Sequence, residues 1–321
     1  LLCSAQCAGA SASRGLAVIP HPTSQLGLSY FRLPAEPGAE VQAGAVELQN
    51  PTLARMRVVL SAVDGETLST LGSGYASPGS PRHGSTLWLR LGAREVTLAP
   101  AARVKVPVSV LVPAAVTPGD YLSGISIEAL DQRPQGLAKK GVSIASVERY
   151  ALGVETLVPG PRHPLIQFTS ASLQRQPAGL TFLLHARNVG NVILQGVRGH
   201  VLITRAGHTV VSEAIEPGTF VTGTRIAYPA TAMNQTATAG TRYRVHAWLS
   251  YPGGRARLDT SVTFGHRQVL IQGSYAHPTP GSHGSTPWWE IAAGVAVLLY
   301  ALFTTVLLLR RKQEPLPATQ R

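Results

Sequence analysis

Residues 103–112 read RVKVPVSVLV. Val104, Val106, Val108, Val110 and Val112 take alternate positions, with Lys105, Pro107 and Ser109 between them. Successive side chains of an extended chain point to opposite faces, so this is a strand with one buried side. Pro107 lacks the N–H that a ladder uses, which predicts an edge strand. The same alternation runs outward through Leu28 to Leu33, Ala45 to Gln49, Met56 to Val63, Leu87 to Leu91, Tyr121 to Leu130 and Val142 to Val158. PG, DG, PGS and TPGD turns separate these stretches. Short strands punctuated this way predict a β-sandwich over residues 25–158. Within it, residues 65–84 form a long Gly/Ser/Pro connection.

Residues 159–164 crowd prolines and a glycine into a stiff linker. The second unit, residues 165–266, repeats the grammar in Ile166 to Leu173, Leu180 to Ala186, Val197 to Thr204, Thr209 to Ala214, Arg225 to Tyr228, Tyr243 to Tyr251 and Ala256 to Phe264. A PGDY turn at 118–121 and an AGTRY turn at 239–243 each precede a late strand of their unit. Two tandem immunoglobulin-like sandwiches are the economical reading. Residues 267–287, rich in Gly, Ser, Pro and His, read as a stalk.

The two ends read as targeting segments. Residues 1–12 are small and apolar and finish on Ala10-Ser11-Ala12, the form signal peptidase cuts, so they read as the remnant of a signal peptide. Both cysteines, Cys3 and Cys7, lie inside it, leaving no disulfide framework, thiolate metal site or Cys nucleophile beyond it. Ile291 to Leu309 carries no charge over 19 residues, enough for ~28 Å of helix. With Trp288 and Trp289 as an interfacial belt and Arg310, Arg311 and Lys312 as a positive-inside stop, residues 288–309 read as a single transmembrane helix. Residues 310–321 would then be a cytoplasmic tail and both sandwiches extracellular. The expected fold class is all-β: two sandwiches, a stalk and one C-terminal transmembrane α-helix.

Charge points to an anionic partner. Lys and Arg number 28 against 16 Asp and Glu, a net +12. Setting aside Arg310, Arg311, Lys312, Arg321, Glu290 and Glu314 leaves 24 against 14, about +10 on the part read as external. Outside a cell the available polyanions are wall polymers and lipid head groups, and nucleic acid is excluded.

The order SYFRL (29–33), EPGAEV (36–41), VELQNPTLARMRVVLSAVDG (46–65), LWLRL (87–91), VTLAPAARVKVPVSVLVPAAVTPGDYLSGISI (96–127) and ERYALGVET (148–156) resembles the WxL-interacting protein family. In the second unit NVGNV (188–192) and the YxVxAWLxY strand (243–251) echo it. The resemblance implies a membrane-anchored wall protein whose first sandwich binds peptidoglycan and which docks a WxL-domain or other surface protein.

No constellation of residues reads as an enzyme. The ten histidines lack an HExxH or i, i+4 helical pair, and no GxSxG, P-loop or GxGxxG occurs. No metal or cofactor is expected. One surface feature points to binding. In Arg242 to Tyr251 the alternation buries Tyr243, Val245, Ala247, Leu249 and Tyr251 and turns Arg242, Arg244, His246 and Trp248 outward. If Tyr251-Pro252-Gly253-Gly254-Arg255 closes a hairpin, Arg255 and Arg257 join the same face. Guanidinium groups beside an indole suit an anionic sugar or an acidic partner. In the first unit Trp88 reads as a buried sandwich tryptophan. Tyr75 reads as an exposed loop aromatic able to meet a glycan, with Arg82 and His83 beside it for an acidic group.

These residues predict a non-enzymatic surface scaffold binding peptidoglycan or an anionic wall polymer. A second reading is a chaperone-like accessory subunit presenting an open strand edge to a secreted partner, because period-2 strands accept an added strand. An exported wall hydrolase is a distant third.

Overall fold

The computed structural model describes residues 15–23, 29–130 and 149–265. Their elements are strands and one 3-10 turn. The first sandwich packs two sheets. One has the order β1-β3-β8-β6, from Ala17–Pro22 (β1), Glu40–Gln49 (β3), Arg103–Leu111 (β8) and Leu89–Leu91 (β6). The other runs β2-β10-β9-β4-β5, from Phe31–Pro34 (β2), Arg149–Val158 (β10), Gly119–Ala129 (β9), Met56–Thr67 (β4) and Ser73–Tyr75 (β5), with Glu95–Leu98 (β7) also on β4. Between the sheets lies a core that includes Phe31, Val46, Leu48, Val58, Leu60, Val106, Val108, Ile125, Ile127 and Val154. Burying each such side chain contributes about 1.5–3 kcal/mol, which is why the alternation fixes the register.

The second sandwich has the same plan. Ile166–Gln176 (β11), Gly179–Asn188 (β12) and Arg225–Met233 (β15) make one sheet, in the order β11-β12-β15. His208–Phe220 (β14), Leu194–Arg205 (β13), Arg242–Tyr251 (β16) and Gly254–Thr263 (β17) make the other, in the order β14-β13-β16-β17. Pro252-Gly253 forms the tight β16–β17 turn, with Tyr251 opposite Gly254 and Gly253 at φ +90°, the backbone that glycine supplies in a type II turn.

Both sandwiches belong to one compact unit. Leu71, in the loop between β4 and β5, is buried in the second sandwich's core. The Gly72 N–H donates to the Thr219 carbonyl at 2.9 Å. Thr224 donates its hydroxyl to the Val221 carbonyl, so the Thr67 hydroxyl donates to Thr224 (2.6 Å) and accepts from the Val221 N–H (2.8 Å). At a second contact Asp120 accepts from Arg162 (2.6 Å) and from the Ile193 N–H (3.1 Å). The Asn191 side chain donates to the carbonyls of Pro118 and Pro161. The 159–164 linker and the NVGNV loop thus build a joint, in which Arg162, Asn191 and the Ile193 N–H all find partners.

Several expectations change. Among the described residues the fold is all-β, with no helix beyond the one 3-10 turn. Residues 291–309 lie outside the described residues, as do Trp288, Trp289, Arg310, Arg311 and Lys312, and no helix among the described residues is long and apolar enough to cross a membrane. The single-pass topology, extracellular placement and cytoplasmic tail drawn from the expected transmembrane helix therefore find no support among the described residues. Residues 1–12 and 267–287 also lie outside the described residues. β1 extends the first sandwich ahead of residue 25, hidden in the sequence by Pro20 and Pro22. β10 is described from Arg149, so residues 142–148 of the expected strand fall outside. Leu87 is exposed and lies in the 3-10 turn Gly84–Trp88, leaving β6 only three residues. Pro107 sits on an inner strand, between β3 and β6. Its carbonyl accepts from the Gly92 N–H just past the end of β6, so the missing N–H faces the side where the ladder stops.

Candidate functional site

In the first sandwich β10 is an inner strand only partly covered on one side. β9 pairs with β10 along all ten of its residues, whereas β2 runs beside only Val154 to Leu157. The Leu157 carbonyl accepts from the Ala35 N–H at 3.0 Å, so its main chain points to the β2 side. Main-chain groups alternate sides along a strand, which sends those of Arg149 and Ala151 the same way. Both residues are exposed, and no described strand lies beside them. The remaining edges of this sandwich are blunted. β1 carries Pro20 and Pro22, β2 ends on Pro34, and β5, β6 and β7 have three, three and four residues.

On the outer face of that sheet the structure moves Tyr75. It is not a loop tip but the last residue of β5, and its ring lies over Gly124 and Gly153, paired glycines of β9 and β10. A Cβ at Gly124 would strike the ring, so the glycines exist to admit it. Burial raises the Tyr75 phenol above its ordinary range, and nearby Tyr30 and Glu155 add to the effect. Glu155, 5% exposed, pairs with Arg32 at 3.1 Å. Burial pushes its carboxyl up, Arg32 pulls it down and Asp120 pushes it up again, leaving it above the usual carboxylate range. This face is occupied by the protein's own side chains.

Arg82 and His83 separate. His83 takes the acidic partner: its backbone N–H and ring Nδ1 meet the Asp64 carboxylate at 2.9 and 2.8 Å. Burial pushes the Asp64 carboxyl up, but the His83 N–H, the Thr86 hydroxyl and the His83 ring together outweigh it and hold the carboxyl below its ordinary range. Arg82 lines a different feature, a cleft of about 540 Å³ with Arg90, Arg94, Leu60, Leu87 and Leu89. Trp88 is buried against Tyr121, ring centroids 4.7 Å apart.

The outer face of sheet β14-β13-β16-β17 is open. Register across it places His246 opposite Asp259, Trp248 opposite Arg257 and Ser250 opposite Arg255. β13 adds three neighbours that sequence spacing did not bring in: Leu202 opposite His246, His200 opposite Trp248 and Arg198 opposite Ser250. The Arg255 guanidinium lies 4.1 Å over the Trp248 ring, and His246 Nδ1 stands 3.4 Å from Asp259. A groove of about 370 Å³ runs among His200, Leu202, His246, Trp248, Arg257 and Asp259. Arg242 and Arg244 continue the exposed row on β16. The hairpin turn alone unites Arg242, Arg244, His246, Trp248, Arg255 and Arg257, while Tyr75 and Arg82 lie on the other sandwich.

Among the described residues no three His, Cys, Asp or Glu gather to hold a metal ion. No family model matches the chain, and no curated protein does. Solved structures that match include the class 5 fimbriae chaperone CfaA, at 11% identity over 78% of this chain and 98% of that one, with a TM-score of 0.33. Another is the CsuC–CsuE chaperone–tip adhesion subunit pre-assembly complex of Acinetobacter baumannii Csu pili, at 11% identity over 76% and 97%, with a TM-score of 0.35. A third is PapD-like domain 7 of human CEP192, at 14% identity over 47% and 89%, with a TM-score of 0.30. The resemblance to the WxL-interacting family is not kept, since no family model matches the chain. Alternating strands and PGxY turns recur wherever immunoglobulin-like sandwiches form, so their order alone does not single out one family. The peptidoglycan or wall-polymer ligand, the WxL-domain partner and the cell-surface scaffold that the resemblance implied are not kept either.

Proposed function

We propose that the chain is a chaperone-like accessory protein that presents the open edge of β10 to a partner polypeptide. The observation carrying this reading is that β2 covers only Val154 to Leu157, so the main-chain groups of Arg149 and Ala151 face no described strand. An extended segment of a partner would add beside them, taking affinity from main-chain hydrogen bonds and specificity from its alternate side chains. On the first sandwich the other edges carry prolines or are short, which disfavours strand addition there. Chaperones and chaperone–subunit complexes are among the similar solved structures, and their low TM-scores leave the weight on the edge itself.

Ala151→Pro tests it. Proline removes the N–H that points to the open side and leaves the β9 ladder intact, since the groups of Ala151 do not face β9. The full chain carrying Ala151→Pro should unfold at nearly the wild-type temperature and lose the polypeptide that co-purifies with the parent protein. In the parent complex, amide exchange at Arg149 and Ala151 should slow relative to the free protein. Retention of the partner by the proline variant, or unchanged exchange at both amides, overturns the reading.

A further inference from the structure

The outer face of sheet β14-β13-β16-β17 collects arginines that no carboxylate among the described residues neutralises by pairing. Arg198, Arg242, Arg244, Arg255 and Arg257 are exposed on its strands. Against these five stand the exposed carboxylates Asp259 and Glu216, a local balance of +3. Among the described residues none of the five guanidinium groups pairs with a carboxylate, in contrast to Arg32 and Arg162 in and beside the first sandwich. Unpaired arginines on a folded, alternating face are the signature of a surface waiting for the opposite charge.

We propose that this face docks an acidic, extended segment of a partner polypeptide, one carrying carboxylates at alternate positions. The inference deepens the reading above and rests on it for the partner's being a polypeptide. Geometry supplies the spacing. Arg255 and Arg257 are two residues apart on β17, and Arg242 and Arg244 two apart on β16, so each pair repeats at ~6.8 Å along its strand. Carboxylates on one side of an extended peptide recur at the same ~6.8 Å. A contiguous acidic run would waste every second charge.

The Arg255–Trp248 stack fixes where one carboxylate goes. With its carbon 4.1 Å over the indole, the Arg255 guanidinium keeps N–H donors at its edge for both oxygens of a carboxylate. The half-buried indole and Leu202 then offer an apolar floor of the groove to the methylene groups of the acidic side chain. Asp259, its side chain 72% exposed, stands at one side of that groove. It repels a carboxylate placed there, which directs the segment toward Arg255 and Arg257 and sets its register.

The test uses the full chain and a fluorescently labelled peptide of alternating Glu and Ser, read by anisotropy. The comparison peptide has the same composition with the glutamates in one block. The alternating peptide should bind, the blocked peptide at least about tenfold more weakly, and added salt should weaken both. Arg255→Glu/Arg257→Glu should cost at least about tenfold while leaving thermal unfolding unchanged. Arg103→Glu, an equal change of charge per residue on an exposed arginine of β8, should leave affinity within about twofold. Asp259→Asn should tighten binding. Equal affinity for the two peptides, or an equal loss in Arg103→Glu, would reduce the effect to net charge and overturn the proposal. Tighter binding of a sulfated oligosaccharide or of anionic lipid vesicles than of the alternating peptide would assign the face to another occupant. Because the peptide assay reads this face directly, Ala151→Pro should leave it unchanged, so failure of the β10 edge and failure of this face are separate results.

Discussion

The two sandwiches share a plan and use their large sheets in opposite ways. On the first, the outer face of sheet β2-β10-β9-β4-β5 is closed. Tyr75 covers the glycine pair Gly124 and Gly153, and Glu155 is matched by Arg32. On the second, the outer face of sheet β14-β13-β16-β17 carries exposed arginines and an indole stacked under one of them. The difference lies in where polar groups find partners. In the first sandwich the fold supplies them, so substitution there costs stability. In the second solvent supplies them until a ligand does, so substitution there costs binding.

The largest effect should come from filling the glycine pair. Gly124→Val places a branched Cβ where the Tyr75 ring lies, forcing the ring or β9 to move, at a cost of about 1–3 kcal/mol. The same bulk at Arg244, on the open face, should change stability by no more than about 0.5 kcal/mol. Urea unfolding of the two variants measures the contrast directly. Equal losses would mean that the second face is also a packed layer.

A test of nearly the same size addresses the joint between the sandwiches. Leu71→Ala removes a side chain that the first sandwich lends to the second sandwich's core, and large-to-small core changes cost about 2–5 kcal/mol. The lower end is expected, because Leu71 lies at the border of that core. Calorimetry should show the single transition of the parent broaden or split as the second sandwich loses its borrowed contact. Asp120→Asn attacks the other contact by weakening its pairing with Arg162, and should cost about 1–2 kcal/mol without splitting the transition.

How much of this was readable beforehand depends on how local each cause is. The second sandwich's strands follow from alternation and turn residues, and the β16–β17 face follows from a two-residue turn, because both are set within about a dozen residues. β13's contribution to that face, Arg198, His200 and Leu202, comes through pairing with β16 some forty-five residues later, and no local pattern announces it. Tyr75 was misplaced for the same reason. Its signal was on other strands, as Gly124 and Gly153, two glycines in otherwise well-formed strand patterns that needed a neighbour to fill their space. The open edge of β10 depends on where β2 stops, which pairing decides and composition does not.

The smallest effect sharpens the comparison through pH. Burial is the main reason the Glu155 carboxyl lies above its ordinary range, with Arg32 only partly offsetting it. A carboxyl whose folded pKa is raised favours the protonated, folded form. Its contribution is fully present below the unfolded value near pH ~4.3 and is lost as pH rises through the folded value. Asp64, also in the first sandwich, is held low by His83 and Thr86, so its contribution is present above the unfolded value and lost as pH falls through the folded one. Glu155→Gln should therefore flatten the decline in stability on the neutral side of pH ~4.3, leaving the acid limb set by Asp64 in place. Asp64→Asn should do the reverse.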